Sequence, residues 1–324
     1  MGVIGVDGGN TKTELLVVDD DGEPLAYVRG PGSNSHGLGT DGCVRVIARL
    51  VERARPSEPA EHGAFFLCGA DVPADLEALV AELGRRRWTR ELLVDNDTFA
   101  LLHAGSDAPD AVAVVCGAGI NCVGRAADGR VARYPSLGWE TGDWGGSEML
   151  GREALFLAAR AEDSRGEPTV LVPAIVDWSG SESVAALGEA VHYGRVPQTR
   201  LGELAPVVLA AARDGDGTAR GLVERLADEI VLLVLRALRG LGLDGRPVDV
   251  VLGGGMLSGR DEPLHGAVLE RLAEQAPHAR PSVLREPPVL GAALAALDAA
   301  GAPARARERL REAMRDGLAP EQVS

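Results

Sequence analysis

A glycine-rich segment near the start of the chain contains the residue types that bind phosphate. After Asp7 the segment reads Gly8, Gly9, Asn10, Thr11, Lys12 and Thr13. Glycines let backbone N–H groups approach a phosphate closely, and threonine hydroxyls add further donors. Because Asp7 would repel a bare phosphate, its position indicates a hydrated Mg²⁺ between the carboxylate and the phosphate. The competing interpretation is a tight hairpin in which the aspartate and the glycines serve only the turn.

Two other phosphate-binding motifs fit this segment less well. A Walker loop needs a glycine immediately before Lys-Thr, and Thr11 occupies that position. A dinucleotide-binding fingerprint needs a helix after the glycines, whereas the apolar run that ends at Val18 is typical of a strand. The segment is therefore predicted to form the tip of a β-hairpin.

Asp97 is the candidate general base. It follows a short apolar run at 92–94 and precedes a predicted helix that begins near Phe99. A carboxylate at such a strand end can accept the proton of a hydroxyl group while that hydroxyl attacks a phosphate. The competing interpretation is that Asp95 or Asp97 only caps the helix, which is a common role for aspartate.

A second glycine turn repeats the pattern of the first. Gly117, Ala118 and Gly119 follow the apolar run 111–116, and an Asp-Gly turn at 128–129 matches the earlier one at 21–22. Repetition of a supersecondary unit is a stronger signal than either loop alone. Two such turns facing each other across a cleft would hold a polyphosphate from both sides, which supplies the positioning that phosphoryl transfer requires.

The elements that must position these residues are predicted from apolar periodicity and turn residues. The first part reads βββαβαβα, with helices near 40–52, 73–83 and 99–103 and a linker at 56–63. The same order begins again at 111, followed by a mostly helical section at 164–216, a long helix at 218–240 and a strand at 247–252. Gly254 and Gly255 follow that strand, and their turn either lies against adenosine or only joins a strand to a helix. Beyond 301 we expect a charged tail that is a peripheral helix or partly disordered.

Length, charge and cysteine content narrow the class of protein. The 324 residues suggest two domains, and the net charge of −15 argues against nucleic acid or an anionic membrane surface as a partner. Four cysteines without CxxC spacing indicate neither a zinc ribbon nor a redox dithiol. The sequence shows no signal peptide and no apolar run close to the roughly 20 residues of a membrane span. We therefore expect a cytoplasmic protein.

Taken together, these segments resemble the sugar kinase/actin/Hsp70 superfamily. More narrowly they resemble the BadF/BadG/BcrA/BcrD ATPase family in its N-acetylglucosamine kinase branch, over about residues 2 to 300. The motifs that carry the resemblance lie at 7–13, 33–34, 96–97, 117–121, 142–146 and 252–255. The resemblance implies an α/β, actin-like (ribonuclease H-like) fold of duplicated βββαβαβα domains with an interdomain cleft.

The resemblance also implies an activity and its residues. It implies ATP and Mg²⁺ as cofactors, an amino sugar as the substrate, and transfer to the sugar 6-hydroxyl with Asp97 as the catalytic aspartate. Phosphate contacts are implied for both glycine loops, adenosine contacts for Gly254 and Gly255, and the Mg²⁺ water shell for Asp7. Sugar contacts are implied for Asn34, Asn96, Asp97, Asn121, Trp139 and Asp143.

The expected organisation has three parts. Residues 1–110 form an N-terminal actin-like domain, and 111–290 form a second one with a helical insertion. Residues 291–324 supply a C-terminal helix that packs back on the first domain, together with the charged tail. A homodimer is expected, although the residues themselves leave the oligomeric state open.

Several alternatives stay open at this point. The connection through Trp139 is shorter than in N-acetylglucosamine kinases, so glucosamine or N-acetylmuramic acid could be the substrate. Trp139 and Trp144 could stack on a sugar face or fill the base of their loop. An activator ATPase of the same family would need cysteines placed for an iron–sulfur cluster. A non-catalytic sensor would have no need of the base at Asp97.

Overall fold

The computed structural model describes residues 2–56, 58–258 and 262–323. The chain divides into two compact units. The first comprises Met1–Ala113 and Leu284–Ser324, and the second comprises Val114–Val283. The domain limits expected from the sequence, at 110 and 290, stay a prediction.

The described residues form eleven strands, twelve helices and two 3₁₀ turns. The strands are β1 (Gly2–Gly8), β2 (Lys12–Asp19), β3 (Pro24–Pro31), β4 (Ala60–Leu67), β5 (Thr89–Asp95), β6 (Ala111–Cys116), β7 (Ile120–Arg125), β8 (Val131–Ala132), β9 (Val248–Gly253), β10 (Ala279–Val283) and β11 (Glu321–Gln322). The helices are α1 (Ser35–Ala54), α2 (Pro73–Arg86), α3 (Thr98–Gly105), α4 (Gly146–Glu162), α5 (Leu171–Ser179), α6 (Val184–His192), α7 (Ala205–Arg213), α8 (Gly217–Leu241), α9 (Gly255–Ser258), α10 (Glu262–Gln275), α11 (Val289–Ala299) and α12 (Ala304–Arg315). Two 3₁₀ turns lie at Gly138–Thr141 and Gln198–Leu204.

The first unit is built on a sheet with the order β11-β3-β2-β1-β4-β5. β1, β2 and β3 form an antiparallel meander, whereas β4 and β5 run parallel to β1. The register places Asp7 opposite Phe66 and Phe66 opposite Asp95. The carboxyl ends of β1, β4 and β5 therefore lie at one edge of the sheet, and the turns that follow them are neighbours.

The predicted order βββαβαβα is confirmed in the first unit, with two differences in detail. β4 begins at Ala60, inside the segment predicted as a linker, because its first residue pairs with Thr89 of β5. Because Glu61 and His62 follow Ala60, the start of the strand has no apolar pattern of its own and depends on pairing with β5. α1 begins at Ser35, earlier than predicted, and has non-helical backbone at Gly39.

Apolar side chains fill both faces of this sheet. On one face Ile47 and Leu50 of α1 and Leu79 of α2 pack with residues of the strands in a single buried cluster. α11 contacts β1, β4 and α3. The approach of α11 is close, because a Cβ at Gly5 of β1 would lie 2.3 Å from the backbone nitrogen of Ala293. Burial on both faces explains why β1 is a nearly continuous apolar strand.

The C-terminal segment is ordered structure rather than a free tail. α12 buries Ala306, Leu310 and Met314, and its arginines pair with acids of the first unit, such as Arg309 with Glu23 at 2.8 Å. β11 then pairs in parallel with β3. The prediction of a peripheral helix is confirmed, whereas the short strand has too little sequence of its own to be predicted.

The second unit contains a sheet with the order β10-β9-β6-β7-β8. The predicted helical section is confirmed as α5, α6 and α7 with a 3₁₀ turn, and the predicted long helix is α8. α8 begins at a side-chain cap from Asp216 and ends at Gly242 in the left-handed conformation. Among the described residues, no helix is both long and apolar enough to cross a membrane. The expected cytoplasmic location and homodimer stay predictions.

Candidate active site

Two acidic side chains lie at the carboxyl edge of the parallel strands in the first unit. Asp7 is near the end of β1 and is 7% exposed, and Asp97 follows β5. Burial, together with the negative charges of Asp97 and Glu14, raises the pKa of Asp7 well above its usual range. Burial also raises the pKa of Asp97 to about 6, although nearby N–H groups of Thr98 and Asp97 itself act to lower it. The two groups thus form a pair in which full ionisation is disfavoured unless a cation is present.

The pair fits a hydrated Mg²⁺. Carboxylate oxygens are the protein ligands that Mg²⁺ prefers, and a divalent ion would offset the mutual repulsion of Asp7 and Asp97. Asp7 also adjoins the exposed tip of the first glycine loop at Asn10 and Thr11, where a phosphate would be accessible. The residues at this edge are therefore suited to a metal-bound phosphate.

The first glycine loop is a tight hairpin tip between β1 and β2. The Gly9 N–H donates to the Lys12 carbonyl at 2.9 Å, and the Ser33 N–H donates to the Gly9 carbonyl at 3.1 Å. The Asn34 amide donates from Nδ2 to Asn10 Oδ1 at 2.5 Å, which ties the loop to the start of α1. The loop is thus braced from the side by the segment that contains Asn34.

Two of the predicted phosphate-binding residues have protein partners in this structure. The Lys12 ammonium donates to Glu14 at 2.5 Å, and the Thr13 hydroxyl donates to Ser33 Oγ at 2.8 Å. Thr13 is fully buried. Lys12 and Thr13 therefore stabilise the base of the hairpin, while Asn10 and Thr11 remain at its tip.

Helix α3 is capped by Asn96 and not by Asp97. Asn96 Oδ1 accepts the Thr98 N–H at 2.9 Å, and its Nδ2 donates to Asp71 at 2.7 Å. The Asp97 side chain makes no capping hydrogen bond. The side-chain hydrogen bond that caps α3 therefore comes from Asn96, and the role of Asp97 as a general base stays a prediction.

The sequence reasoning missed a second polar cluster at the same edge. Asp71 follows β4, and the His36 imidazole lies between Asp71, at 3.9 Å, and Asp75, at 3.2 Å. Asn34 caps α1 by accepting the His36 N–H at 2.9 Å. The signal that could have found Asp71 is the Gly-Ala-Asp turn at 69–71 directly after a buried strand, which resembles the turns after β1 and β5 in position.

In the second unit the glycine turn at 117–119 is braced by the start of α4. The Ser147 and Glu148 N–H groups donate to the Gly117 and Ala118 carbonyls at 2.8 and 3.1 Å. Gly146 has a φ of +77°, and a Cβ there would lie 2.3 Å from the Ala118 carbonyl oxygen. Only glycine therefore allows the helix start to lie this close to the loop.

The third glycine turn lies against the end of β6. Gly254 has a φ of +85°, and a Cβ on it would lie 2.3 Å from the Cys116 carbonyl oxygen. Gly255 begins α9. The turns predicted to hold phosphate and adenosine are thus neighbours within the second unit, and their roles stay predictions.

The predicted sugar-contacting residues of the second unit have different surroundings. Asn121 is 7% exposed, and its Oδ1 accepts the Cys122 N–H at 2.7 Å. Asp143 accepts a hydrogen bond from the hydroxyl of Thr141, which orders the loop. In the same loop Trp139 is 76% exposed. The sugar contacts predicted for these residues stay predictions.

Trp144 fills the base of that loop. It is 6% exposed, and the Arg225 guanidinium carbon lies 4.0 Å from the centre of its ring. Of the two tryptophans, Trp144 is therefore the one placed as a plug, whereas Trp139 presents its ring to solvent.

Solved structures identify the fold of this chain. A protein from Chromobacterium violaceum with the proposed activity of an N-acetylglucosamine kinase superposes with a TM-score of 0.71 at 24% identity, covering 91% of this chain and 98% of that one. A ROK family glucokinase from Streptomyces griseus, in complex with glucose and AMPPNP, superposes with a TM-score of 0.54 at 16% identity, covering 91% and 98%. The fold is that of the actin-like sugar kinases, so the predicted fold class is confirmed.

The chain belongs to the BadF/BadG/BcrA/BcrD ATPase family, whose sequence profile matches residues 4–297. An N-acetylmuramic acid/N-acetylglucosamine kinase of Clostridium acetobutylicum is 28% identical over 79% of this chain and 85% of its own length. An N-acetyl-D-glucosamine kinase of Dictyostelium discoideum is 26% identical over 91% of this chain and 97% of its own length. Membership of this ATPase family makes ATP the nucleotide that the protein uses.

Proposed function

We propose that this protein is an ATP-dependent amino-sugar kinase that transfers the γ-phosphoryl group to the 6-hydroxyl of N-acetylglucosamine. The observation that carries the proposal is Asp97, a partly buried carboxylate with a pKa raised to about 6, whose helix is capped by the Asn96 side chain. The relatives named as N-acetylglucosamine kinases support the choice of sugar.

The proposed reaction assigns separate tasks to residues of the first unit. Asp97, in its ionised form, accepts the proton from the sugar 6-hydroxyl as that oxygen attacks the γ-phosphorus. Backbone N–H groups at the tip of the first glycine loop, around Asn10 and Thr11, bind phosphate oxygens. Asp7 holds the water shell of Mg²⁺, which when bound neutralises part of the charge on the phosphates.

The buried cysteines weigh against the alternative of an activator ATPase. Cys43, Cys116 and Cys122 are fully buried, and burial raises the pKa of Cys43 to about 11 and of Cys116 to about 12. Buried thiols of this kind are not presented as ligands for a cluster shared with another subunit.

N-acetylmuramic acid is the second candidate sugar, because one relative carries that name together with N-acetylglucosamine.

The test is ADP release with ATP and Mg²⁺, coupled to NADH oxidation, over a panel of acceptors. The panel contains N-acetylglucosamine, N-acetylmuramic acid, glucosamine, N-acetylmannosamine, glucose and no sugar. We expect strong stimulation by N-acetylglucosamine, and 6-deoxy-N-acetylglucosamine should give none because it lacks the accepting hydroxyl. Equal ADP release with and without sugar would instead indicate an activator ATPase, and binding without turnover would indicate a sensor.

A further inference from the structure

Asp71 joins the turn after β4 to the turn that carries the base. Its side chain is only 8% exposed. One carboxylate oxygen, Oδ1, accepts a hydrogen bond of 2.7 Å from Asn96 Nδ2. The parallel pairing of β4 with β5 makes this contact possible, because it brings the two turns to the same edge of the sheet.

Asn96 is fixed at both ends of its amide. While Nδ2 is held by Asp71, Oδ1 accepts the Thr98 N–H at 2.9 Å and so defines the first turn of α3. Asp97 lies between Asn96 and Thr98 in the sequence and is therefore enclosed by this hydrogen bond. A side-chain cap of this type sets the backbone of the enclosed residue and hence the direction of its side chain.

The second oxygen of Asp71 faces His36. His36 Nδ1 lies 3.9 Å from Asp71 Oδ2, and His36 Nε2 lies 3.2 Å from Asp75 Oδ2. Asp75 in turn accepts the Val72 N–H at 3.2 Å, which fixes it at the start of α2. One imidazole from α1 therefore lies between the two carboxylates and limits the movement of Asp71.

We propose that Asp71 is a positioning residue for the general base, which it orients through its hydrogen bond to Asn96. His36 supports Asp71 from the other side. In this assignment Asn96 serves the base rather than the sugar. The inference rests on the proposed function, because it gives Asp97 the role of proton acceptor.

The charges around Asp71 affect its pKa, and this effect can be separated from that of its hydrogen bond to Asn96. The groups that face it are Asp97 after β5, His36 on α1, Asp75 on α2 and the Cys68 thiol after β4. Burial, followed by the charge of Asp97, raises the pKa of Asp71 to about 7, while His36 and the Asn96 hydrogen bond act to lower it. Asp71 and Asp97 therefore titrate as a coupled pair over the range in which a kinase works.

Two substitutions separate the hydrogen bond from the charge. Asp71→Asn keeps an acceptor oxygen for Asn96 Nδ2 and removes the charge, whereas Asp71→Ala removes both. We expect Asp71→Ala to lower kcat by about 30-fold or more, with KM values for ATP and sugar changed by less than about threefold. Asp71→Asn should lower kcat only about threefold, because its amide oxygen can still accept the hydrogen bond from Asn96 Nδ2.

A double-mutant cycle tests the route through Asn96. If Asp71 acts through Asn96, the kcat of the Asp71→Ala/Asn96→Ala enzyme should equal that of either single variant within about threefold. Additive losses would overturn the route. Asp244→Asn, on an exposed loop of the second unit, is the matched carboxylate-to-amide control and should behave as wild type.

Some outcomes would overturn the inference without touching the proposed function. These are a folded Asp71→Ala enzyme with wild-type kcat, or equal losses in Asp71→Ala and Asp71→Asn. If Asp71→Ala does not fold, Asn96→Ala replaces it, with the same loss expected in kcat. If the wild type shows no sugar-dependent ADP release, the proposed function fails. The positioning role of Asp71 is then tested by a crystal structure of Asp71→Ala. An Asp97 carboxylate that has moved by less than about 0.5 Å in that structure would overturn the positioning role.

Discussion

Asp7 on β1 and Glu14 on β2 face each other directly across the antiparallel pair, so two carboxylates occupy one cross-strand position. Like charges in such a position are destabilising unless one of them is compensated. Glu14, which is fully buried, accepts hydrogen bonds from Lys12 at 2.5 Å, Tyr27 at 2.5 Å and Arg29 at 2.6 Å. Burial acts to raise the pKa of Glu14, but these donors together hold it below the usual value. Glu14 is thus kept ionised beside an Asp7 whose pKa is raised.

Glu14→Gln should reduce stability in a pH-dependent way. We expect the free energy of unfolding to fall by about 2 kcal/mol at neutral pH, less than for a fully buried pair because Lys12 and Arg29 are partly exposed. The folded-state pKa of Glu14 lies below the ordinary 4.5, so the stabilisation is present above that pH and is lost as the pH falls through the folded-state pKa.

Urea denaturation at a series of pH values measures this loss. The difference between wild type and Glu14→Gln should be largest above about pH 5 and should shrink in acid. Glu23→Gln removes the exposed ion pair of Glu23 with Arg309 and should cost no more than about 0.5 kcal/mol at any pH. A difference that did not change with pH would mean that the Glu14 charge is not what stabilises the hairpin.

Asp97→Asn should strongly reduce turnover while sugar binding is retained. The amide has nearly the same shape but cannot accept the proton, so kcat should fall by about 10²- to 10⁴-fold. Isothermal titration should show a dissociation constant for N-acetylglucosamine within about threefold of wild type. A variant with wild-type turnover would remove Asp97 from the role of base.

Ionisation of the Asp97 carboxylate should determine how kcat/KM falls at acid pH. Because the folded-state pKa of Asp97 is raised to about 6, the fraction of ionised base falls as the pH drops below that value. We expect kcat/KM for the sugar to fall by about tenfold per pH unit there, with the coupled Asp71 broadening the limb. A profile that stayed flat down to about pH 4.5 would show that no group with a raised pKa limits the reaction.

Gly146→Ala should weaken ATP binding through the second glycine turn. The added Cβ would collide with the Ala118 carbonyl oxygen and displace the turn at 117–119. We expect the KM for ATP to rise by about tenfold or more, with a smaller change in the KM for sugar. Gly129→Ala is the matched control, because Gly129 also has a positive φ, of +88°, but its Cβ would meet open space. Equal effects of both substitutions would assign the loss to backbone strain alone.

Substitutions of the two tryptophans in the 138–146 loop should have different effects, one on stability and the other on sugar binding. Trp144→Ala removes a buried ring and its contact with Arg225, so the free energy of unfolding should fall by about 3 kcal/mol or more. Trp139→Ala should leave that free energy within about 0.5 kcal/mol, because the ring is largely exposed. A raised KM for sugar in a fully stable Trp139→Ala enzyme would identify Trp139 as a sugar contact, and an unchanged KM would exclude that role.

Much of the fold could be predicted from the sequence because the signals are local. Apolar runs punctuated by glycine and aspartate predicted the order βββαβαβα, and periodicity predicted the long helix α8. The start of β4 at Ala60 could not be predicted, because the polar residues Glu61 and His62 follow it and the segment is held in the strand by pairing with β5. Pairing partners that are distant in the sequence leave no local pattern.

The candidate site likewise has some features that local sequence predicts and others that depend on tertiary contacts. The sequence by itself determined that Asp7, Asp97 and the glycine loops would stand at element ends, because strand ends and turns are visible in residue types. Only the tertiary structure decided that Asn96 caps α3 and that Asp71, 25 residues away, holds it. The physical reason is that a hydrogen bond between two turns depends on strand order and register, which fix distances of a few ångströms between residues that the sequence keeps apart.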